Sequence, residues 1–164
     1  MGIETPPSRR VAIAIGSNLG NRDAAISFAL HHLSRFVSNL RASEIIETWP
    51  VGEGSENQNL YLNAVVVGET DLSAREVLDA LLAVETAYGR ERSTINAART
   101  LDLDLILLGD RVVVETGLEV PHPRFRERFF VLGPLAEVAP EMVDPVSGMT
   151  VGQLLRALLR DESR

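Results

Sequence analysis

The spacing of hydrophobic and polar residues predicts strands and helices in alternation. The apolar run Val11 to Ile15, which ends at Gly16, has the length of a buried strand. Apolar residues then recur at helical spacing and predict a first helix: Ile26, Leu30, Leu33 and Val37. Ser43 to Thr48 and Tyr61 to Glu69 are predicted to be strands, and the polar segment Trp49 to Asn59 is a long loop between them.

The second helix is marked at both of its ends. Ser73 and Glu76 have the spacing of a capping box, in which each side chain accepts a hydrogen bond from the backbone N–H of the other residue. Gly89 is the predicted C-terminal stop, since glycine commonly ends helices.

The last third of the chain predicts a strand pair and two helices. Leu101 to Leu108 has the pattern of a strand, and Arg111 to Val114 is predicted to pair with it through a turn at Gly109-Asp110. Val131 to Val138 and Thr150 to Leu159 are the predicted helices. The main order, strand–helix–strand–strand–helix–strand, is that of a ferredoxin-like fold. We therefore expect an α+β protein with an antiparallel sheet and helices packed on one face.

Length and composition indicate one folded domain after a short tail. Residues 1–8 contain two prolines and no periodic pattern, so we expect a flexible tail followed by a single domain over residues 9–164. The chain is 45% hydrophobic and 24% charged, which excludes collagen-like, coiled-coil and disordered proteins. No apolar run approaches the roughly 18 residues that a membrane span requires. The chain has no cysteine, which excludes disulfides and thiolate metal sites, and we expect a cytoplasmic protein. We also expect a monomer.

The charge pattern points to a small anionic ligand. A net charge of -7 is unfavourable for binding nucleic acid or anionic membranes, so we expect neither partner. All 16 basic residues are arginine, and seven of them fall between Arg90 and Arg128. Arg90, Arg92 and Arg99 lie on the segment that leads into the strand at Leu101, where arginine can bind phosphate with two hydrogen bonds. A solubilising loop is the alternative interpretation.

Asp102 and Asp104 form the sharpest candidate site. Residues two apart on a strand point to the same face, so both carboxylates project together. Three leucines are expected on the opposite face: Leu103, Leu105 and Leu107. Magnesium binds one or two carboxylates and completes its coordination with substrate phosphates, and Arg99 nearby suits a phosphate. The alternative is an ordinary solvated strand face, which Ile106 and Leu108 are expected to share.

Other polar residues have both a functional and a structural interpretation. Glu85 falls on the apolar stripe near the end of the second helix, either at a pocket edge or at a solvated rim. His122 lies between two prolines that restrict its backbone. Its ring is then either held in one direction for a functional role or used as a structural hydrogen-bonding group. Tyr61 and Asn63 share a strand face, which suits ring stacking and amide recognition or simple core packing.

Five motifs, in order, carry a resemblance to a known family. They are AIGSNLGNR, YLNAVV, GRER, RTLDLDLILLGD and VPHPRFRERFFVLGPLAEVAPE. Together they span about Val11 to Val151, nearly the whole chain. The chain resembles the 6-hydroxymethyl-7,8-dihydropterin pyrophosphokinases of folate biosynthesis.

The resemblance implies a ferredoxin-like fold and a reaction. A pyrophosphoryl group would pass from ATP to the pterin hydroxymethyl oxygen, releasing AMP. Two magnesium ions, bound with ATP, would be held by Asp102 and Asp104. Catalytic residues would be Arg90, Arg92, Arg99, His122 and Arg128. The nucleotide would meet Glu85, Leu105, Leu118, His122 and Arg128, with the two leucines packing on adenine. The pterin would meet Thr48, Pro50, Tyr61, Asn63 and Phe130, with the two aromatic rings enclosing it.

Three departures from the family pattern leave an alternative open. Asn96-Ala97-Ala98 stands where familiar members often have Trp-Gly-Pro, and Gly117 and Glu119 stand where some have Arg and Thr. The segment from Arg90 to Arg99 is also about one residue shorter than in some members. The alternative is therefore a non-catalytic pterin- or nucleotide-binding relative with an altered lid loop, against which the intact aspartate pair argues. An RNA-binding module of the same plan would need a basic face and exposed aromatic residues, and the aromatic content is only 5%.

Overall fold

The computed structural model describes residues 8–17, 22–48, 61–91 and 101–162. The strands in these ranges are β1 (Arg9–Ser17), β2 (Ser38–Ala42), β3 (Ile46–Thr48), β4 (Tyr61–Thr70), β5 (Asp102–Leu108), β6 (Val113–Glu115) and β7 (Leu118–Val120). The helices are α1 (Arg22–Leu33), α2 (Ala74–Glu91), α3 (Phe129–Val138) and α4 (Val151–Glu162), with a short 3-10 helix at Phe125–Glu127. No helix of the described part is long and apolar enough to cross a membrane.

The central sheet is antiparallel, as predicted, with the strand order β2-β4-β1-β5. β3 also pairs with β4, next to its start. The predicted single strand Ser43 to Thr48 is wrong at its beginning, because only Ile46–Thr48 is a strand. Ser43 instead exchanges two hydrogen bonds with Val65: its N–H donates to the Val65 oxygen at 2.8 Å, and its Oγ accepts from the Val65 N–H at 2.9 Å.

Helices cover both faces of the sheet, so the expectation of helices on one face is wrong. One hydrophobic cluster joins alternate β1 residues such as Ile13 to α1 and α2. A second cluster joins Ala12, on the opposite face of β1, to α3 and α4. The physical reason lies in α3, whose side chains Leu132 and Leu135 are fully buried and must pack on an apolar surface of their own.

A β-bulge interrupts β5 at Ile106. Leu105 and Leu107 occupy successive pairing positions on β1, so Ile106 is an additional residue on β5. Leu107 therefore joins Ile106 in the cluster under α3, and Leu108 turns to the side of α1 and α2. The predicted face of Ile106 is confirmed, whereas the predicted faces of Leu107 and Leu108 are wrong.

The capping box at the start of α2 is confirmed, but the predicted stop is wrong. The Ser73 N–H donates to Glu76 Oε1 at 2.9 Å, and the Glu76 N–H donates to Ser73 Oγ at 3.2 Å. The helix continues through Gly89 to Glu91. Glycine does not have to end a helix where no left-handed turn follows it.

The second hairpin differs from its prediction. β6 pairs with β7 instead of with β5, through a two-residue loop at Thr116-Gly117 in which Gly117 has a φ of +74°. Leu118 and Val120 of β7 are buried in the cluster with α1 and α2, which gives this hairpin its attachment. The predicted helices near Val131 to Val138 and Thr150 to Leu159 are confirmed as α3 and α4.

Candidate active site

A cavity of about 430 Å³ opens on the side of the sheet that faces α3. Strands β1, β3, β4 and β5 and the beginning of α3 contribute to its wall. Eight of the predicted site residues line it: Thr48, Tyr61, Asn63, Glu85, Asp102, Asp104, Arg128 and Phe130. With Glu85 of α2 included, residues from six separate segments of the sequence thus meet in one place.

One end of this cavity presents an oriented amide. Asn63 is only 7% exposed, and its Nδ2 donates a hydrogen bond of 2.7 Å to Thr48 Oγ1 on the neighbouring strand. A primary amide also has a second N–H and a carbonyl oxygen. Such a group recognises the edge of a flat heterocycle that offers both a donor and an acceptor.

Aromatic side chains stand beside the amide. Tyr61 and Phe130 are both half-buried and both line the cavity, from β4 and α3. The guanidinium carbon of Arg128 lies 5.7 Å from the centre of the Phe130 ring, a cation–π distance. The cavity therefore combines flat apolar surfaces with a positive charge at one margin.

Asp102 and Asp104 face the same cavity from β5, as the two-residue spacing predicts. Their partners across the ladder are Gly16 and Ala14, whose small size leaves space in front of the carboxylates. In the described ranges no group of three or more histidine, cysteine, aspartate and glutamate side chains forms a metal cluster. Two protein carboxylates, completed by phosphate and water oxygens, are a set that magnesium accepts. The residues present therefore fit this ion.

Glu85 connects α2 to the aspartate strand. Its Oε2 accepts a hydrogen bond of 2.7 Å from the N–H of Leu103, the residue between the two aspartates. Glu85 is half-buried and lines the large cavity, so it is at a pocket edge and not merely at a solvated rim.

A second cavity of about 340 Å³ adjoins the first at Asp104, which lines both. Its wall is apolar on one side, where four leucines contribute: Leu78, Leu103, Leu105 and Leu118. His122 and Glu119 lie on its other side. The two cavities share Asp104 as a lining residue, and we refer to the pair together as the groove.

His122 is held in place by its backbone and by its ring. Its N–H donates to the Ile106 oxygen at 3.0 Å, and its Nδ1 lies 3.1 Å from the Arg124 N–H, from which it accepts a hydrogen bond. Burial lowers the pKa of His122 below its ordinary value, Asp104 opposes this shift, and Arg128 reinforces it. A neutral ring that accepts at Nδ1 carries its proton on Nε2, so His122 is a hydrogen-bond donor at neutral pH.

Comparison with known proteins identifies the family. Residues 12–140 match the model of the family described as 7,8-dihydro-6-hydroxymethylpterin-pyrophosphokinase (HPPK). The chain belongs to the HPPK family. The resemblance inferred from the five motifs is thereby confirmed.

Individual HPPK relatives match different shares of the chain. A Synechocystis 2-amino-4-hydroxy-6-hydroxymethyldihydropteridine pyrophosphokinase is 50% identical over 95 residues, 58% of this chain and 49% of that protein. The Methylorubrum extorquens enzyme of the same name is 34% identical over 151 residues, 91% of this chain and 93% of that protein. The match thus spans about half the length of the first relative and nearly all of the second.

The fold is also that of a solved HPPK-containing structure. The crystal structure of wild-type Plasmodium falciparum HPPK-DHPS matches with a TM-score of 0.72 at 12% identity, over 94% of this chain and 45% of that chain. At such low identity the likeness concerns the fold alone.

Some predicted HPPK site residues are not placed by the structure. Pro50, Arg92 and Arg99 lie outside the described residues, as do the predicted loop Trp49 to Asn59 and all of the predicted N-terminal tail except Ser8. Arg90 is in the last turn of α2, but its side chain is outside the described part.

Two small residues opposite the aspartates are additional site residues that the predictions did not include. Ala14 and Gly16 alternate with Ile13 and Ile15 along β1 and line the cavity, whereas both isoleucine side chains belong to the cluster with α1 and α2. The alternation of small and large residues along β1 was the available signal.

Proposed function

We propose that this chain transfers the pyrophosphoryl group of ATP to the hydroxymethyl oxygen of 6-hydroxymethyl-7,8-dihydropterin, giving AMP and the pterin diphosphate in folate biosynthesis. The observation that carries the proposal is the position of Asp104 on the wall of both cavities. One cavity suits a flat heterocycle, the other suits a purine, and the carboxylate between them is where the reacting phosphates would lie.

The pterin occupies the larger cavity in this proposal. Asn63 reads the ring edge, and its hydrogen bond to Thr48 keeps the amide in one orientation. Tyr61 and Phe130 contact the ring faces, since aromatic side chains provide large flat surfaces. The hydroxymethyl group then points along the groove towards the aspartates.

The nucleotide occupies the second cavity. Leu105 and Leu118 pack on the adenine, and the Nε2–H of His122 donates to a phosphate oxygen. Arg128 adds a positive charge to the wall of the larger cavity, which Asp104 also lines. Arg90, Arg92 and Arg99 contribute further positive charge in this proposal, because the negative charge of a nucleoside triphosphate requires more than one cation to neutralise it.

The reaction is a displacement at the β-phosphorus. The pterin hydroxyl oxygen forms a bond to that phosphorus, the bond to the oxygen of the α-phosphate breaks, AMP leaves, and the hydroxyl proton is released. Two magnesium ions, bound with ATP at Asp102 and Asp104, would supply Lewis acidity to the phosphate oxygens. The residues of the chain contribute alignment of the two substrates and charge stabilisation, the main sources of catalysis in phosphoryl transfer.

We also propose the fold type, the oligomeric state and the cellular location of the protein. The strand order β2-β4-β1-β5, with α1 and α2 as the connections, supports a ferredoxin-like fold. We infer a cytoplasmic monomer that acts on small molecules and not on nucleic acid or membranes.

The deciding experiment measures AMP formation from ATP, with and without pterin and with and without magnesium. AMP that requires both supports the enzyme. A folded protein that binds the pterin but forms no AMP supports the alternative, a non-catalytic relative with an altered lid loop at Asn96-Ala97-Ala98.

A further inference from the structure

Arg126 and Asp144 form an ion pair that lines neither cavity. Arg126 Nε donates to Asp144 Oδ2 at 2.6 Å, and a terminal nitrogen of Arg126 donates to Oδ1 at 2.9 Å. This two-bond geometry fixes direction as well as distance. The mechanism proposed above makes no use of the pair.

The Asp144 carboxylate, which accepts both of these hydrogen bonds, is itself held in place by other contacts. It has 0% exposure, and its carboxylate also accepts hydrogen bonds from Ser147 Oγ at 2.7 Å and from the Val146 N–H at 3.0 Å. Backbone hydrogen bonds close the turn around it, from the Gly148 N–H to the Asp144 oxygen and from the Asp144 N–H to Met149. The segment between α3 and α4 is therefore held by its own bonds.

Arg126 is the middle residue of the 3-10 helix Phe125–Glu127, which connects two site residues. The Phe125 N–H donates to the His122 oxygen at 3.4 Å, and the Arg128 N–H donates to the Phe125 oxygen at 3.3 Å. The Arg128 oxygen in turn accepts the N–H groups of Val131 and Leu132 at the start of α3. The backbones of His122 and Arg128 therefore depend on where this short helix lies.

A 3-10 helix of three residues has little stability of its own, because its hydrogen-bond geometry is poor. Two tertiary contacts hold this one. Phe125 is fully buried in the cluster with α3 and α4, and Arg126 is bound to Asp144. The buried Phe125 ring fixes how deeply the 3-10 helix sits in the core, but it does not fix how the helix is rotated. The two-bond ion pair of Arg126 with Asp144 fixes the rotation of the helix about its axis.

We propose that the Arg126–Asp144 pair is a positioning device for the nucleotide side of the site. It fixes the 3-10 helix, so that Arg128 enters one cavity and His122 enters the other on either side of Asp104. Arg126 and Asp144 act through these two residues and touch neither substrate. This inference rests on the proposed function.

The test compares kinetic constants of Arg126→Ala with those of the wild type. We expect the KM for ATP to rise and kcat to fall, with kcat/KM for ATP lower by roughly 10- to 100-fold, the scale of a misplacement of about 1 Å. The affinity for pterin alone, measured without nucleotide, should fall by less than kcat/KM for ATP. The ring-edge contacts of Asn63 and Thr48 lie on β4 and β3, and of the proposed pterin contacts Phe130 is the one that follows Arg128 at the start of α3. Arg126→Lys keeps the charge and should recover part of the loss.

Two control variants separate this role from simple stabilisation. Arg10→Ala removes an exposed ion pair with Glu141 of similar length, 2.8 Å, and should leave all constants unchanged. Ser147→Ala removes one of the other bonds to Asp144 and should have a smaller effect than Arg126→Ala. Thermal unfolding ensures that each assay is made on folded protein.

The outcomes are distinct. A loss of folded molecules lowers apparent kcat but leaves KM unchanged, so a folded Arg126→Ala with the wild-type KM for ATP overturns the proposal. If Arg126→Ala does not fold, Arg126→Lys decides: an elevated KM for ATP supports positioning and a wild-type KM overturns it. If the wild type itself forms no AMP, the proposed function fails. Hydrogen exchange at Arg128, Val131 and Leu132 then tests the device alone, and unchanged protection in Arg126→Lys overturns it.

Discussion

Asn63 donates a 2.7 Å hydrogen bond to Thr48 Oγ1 across two paired strands, so the orientation of the buried amide is set by a hydroxyl group on β3. An amide held by one bond presents its remaining donor and acceptor in a fixed order to a ligand. Thr48 therefore takes part in recognition through Asn63 as well as by lining the cavity.

Replacing Thr48 by valine keeps the shape of the side chain but removes the acceptor for the Asn63 N–H. We expect the dissociation constant for the pterin to rise about tenfold, since the amide is then free to rotate and one buried donor lacks its partner. Fluorescence titration with the pterin measures this. Ser38→Ala, on an exposed position of the same sheet, is the matched control. An unchanged constant in Thr48→Val contradicts the assignment.

Asp104→Asn removes one charge from the wall that the two cavities share. We expect AMP formation to fall by about 100-fold or more, since charge stabilisation of the transferring group supplies much of the rate. The thermal unfolding midpoint should hardly change, because the side chain is exposed. Asp110→Asn, at an exposed turn, controls for loss of charge elsewhere. Full activity in a folded Asp104→Asn would remove the magnesium assignment.

His122 should titrate below 6.5, because burial disfavours its charged form more than Asp104 stabilises it. Since the unfolded chain then binds the proton more readily, His122 makes stability fall as pH decreases below 6.5. Binding of ATP should raise the pKa through the charge of the phosphates. Proton NMR of the imidazole resonances measures both effects, with His122→Gln to identify the signal. A titration at or above the ordinary value contradicts the predicted environment.

Asp144 should make the protein sensitive to acid. Burial raises the pKa of its carboxyl, but hydrogen bonds from Arg126, Ser147 and the Val146 N–H overcome this and lower it to about 2 from the ordinary 3.8. The stabilisation, about 2 kcal/mol, is fully present above pH 3.8 and is lost as pH falls towards 2. Urea unfolding of the wild type and of Asp144→Asn, from neutral pH downward, should show a difference that shrinks in this window. A difference independent of pH disproves the assignment.

Two glycines should respond to alanine in opposite directions. Gly89→Ala should raise the free energy of unfolding by about 0.5–1 kcal/mol. The helix continues past Gly89, and within the described residues an added Cβ would meet no atom within 4 Å apart from its own helix backbone and chain neighbours. Gly68→Ala should lower it by about 1–3 kcal/mol, because the added Cβ would clash with Val37 Cγ1 and would lie 2.6 Å from the Ser38 oxygen. Urea unfolding measures both. Destabilisation by Gly89→Ala would mean that the helix stops there.

Patterns that depend on neighbours in sequence were predictable, and those that depend on distant partners were not. The capping box at Ser73 is a local exchange of hydrogen bonds, so its two residues sufficed to locate the helix start. A similar box at Thr150 and Gln153 begins α4 and could have been found in the same way. The side of the sheet that α3 covers depends on packing between remote segments, which no local pattern records.

In the candidate site too, the local patterns were predictable and the contacts between distant segments were not. The shared face of Asp102 and Asp104 comes from the period of a strand, and the cavity contains both as expected. Leu107 and Leu108 were assigned to the wrong faces, because the bulge at Ile106 shifts the phase of the strand and an all-apolar stretch has no polar residue to mark that shift. For Tyr61 and Asn63 the sequence left ligand recognition and core packing open; both line the cavity, and ligand recognition stays a prediction.

The bulge at Ile106 gives β5 one more residue than its pairing with β1 uses. If Ile106 were deleted, Leu105 and Leu107 would still meet consecutive residues of β1, so the ladder would close without a gap. The carbonyl oxygen that receives the His122 N–H at 3.0 Å would be lost. Deleting Ile106 would therefore leave the pairing of β5 with β1 intact. It would remove the backbone hydrogen bond that holds His122 beside the second cavity.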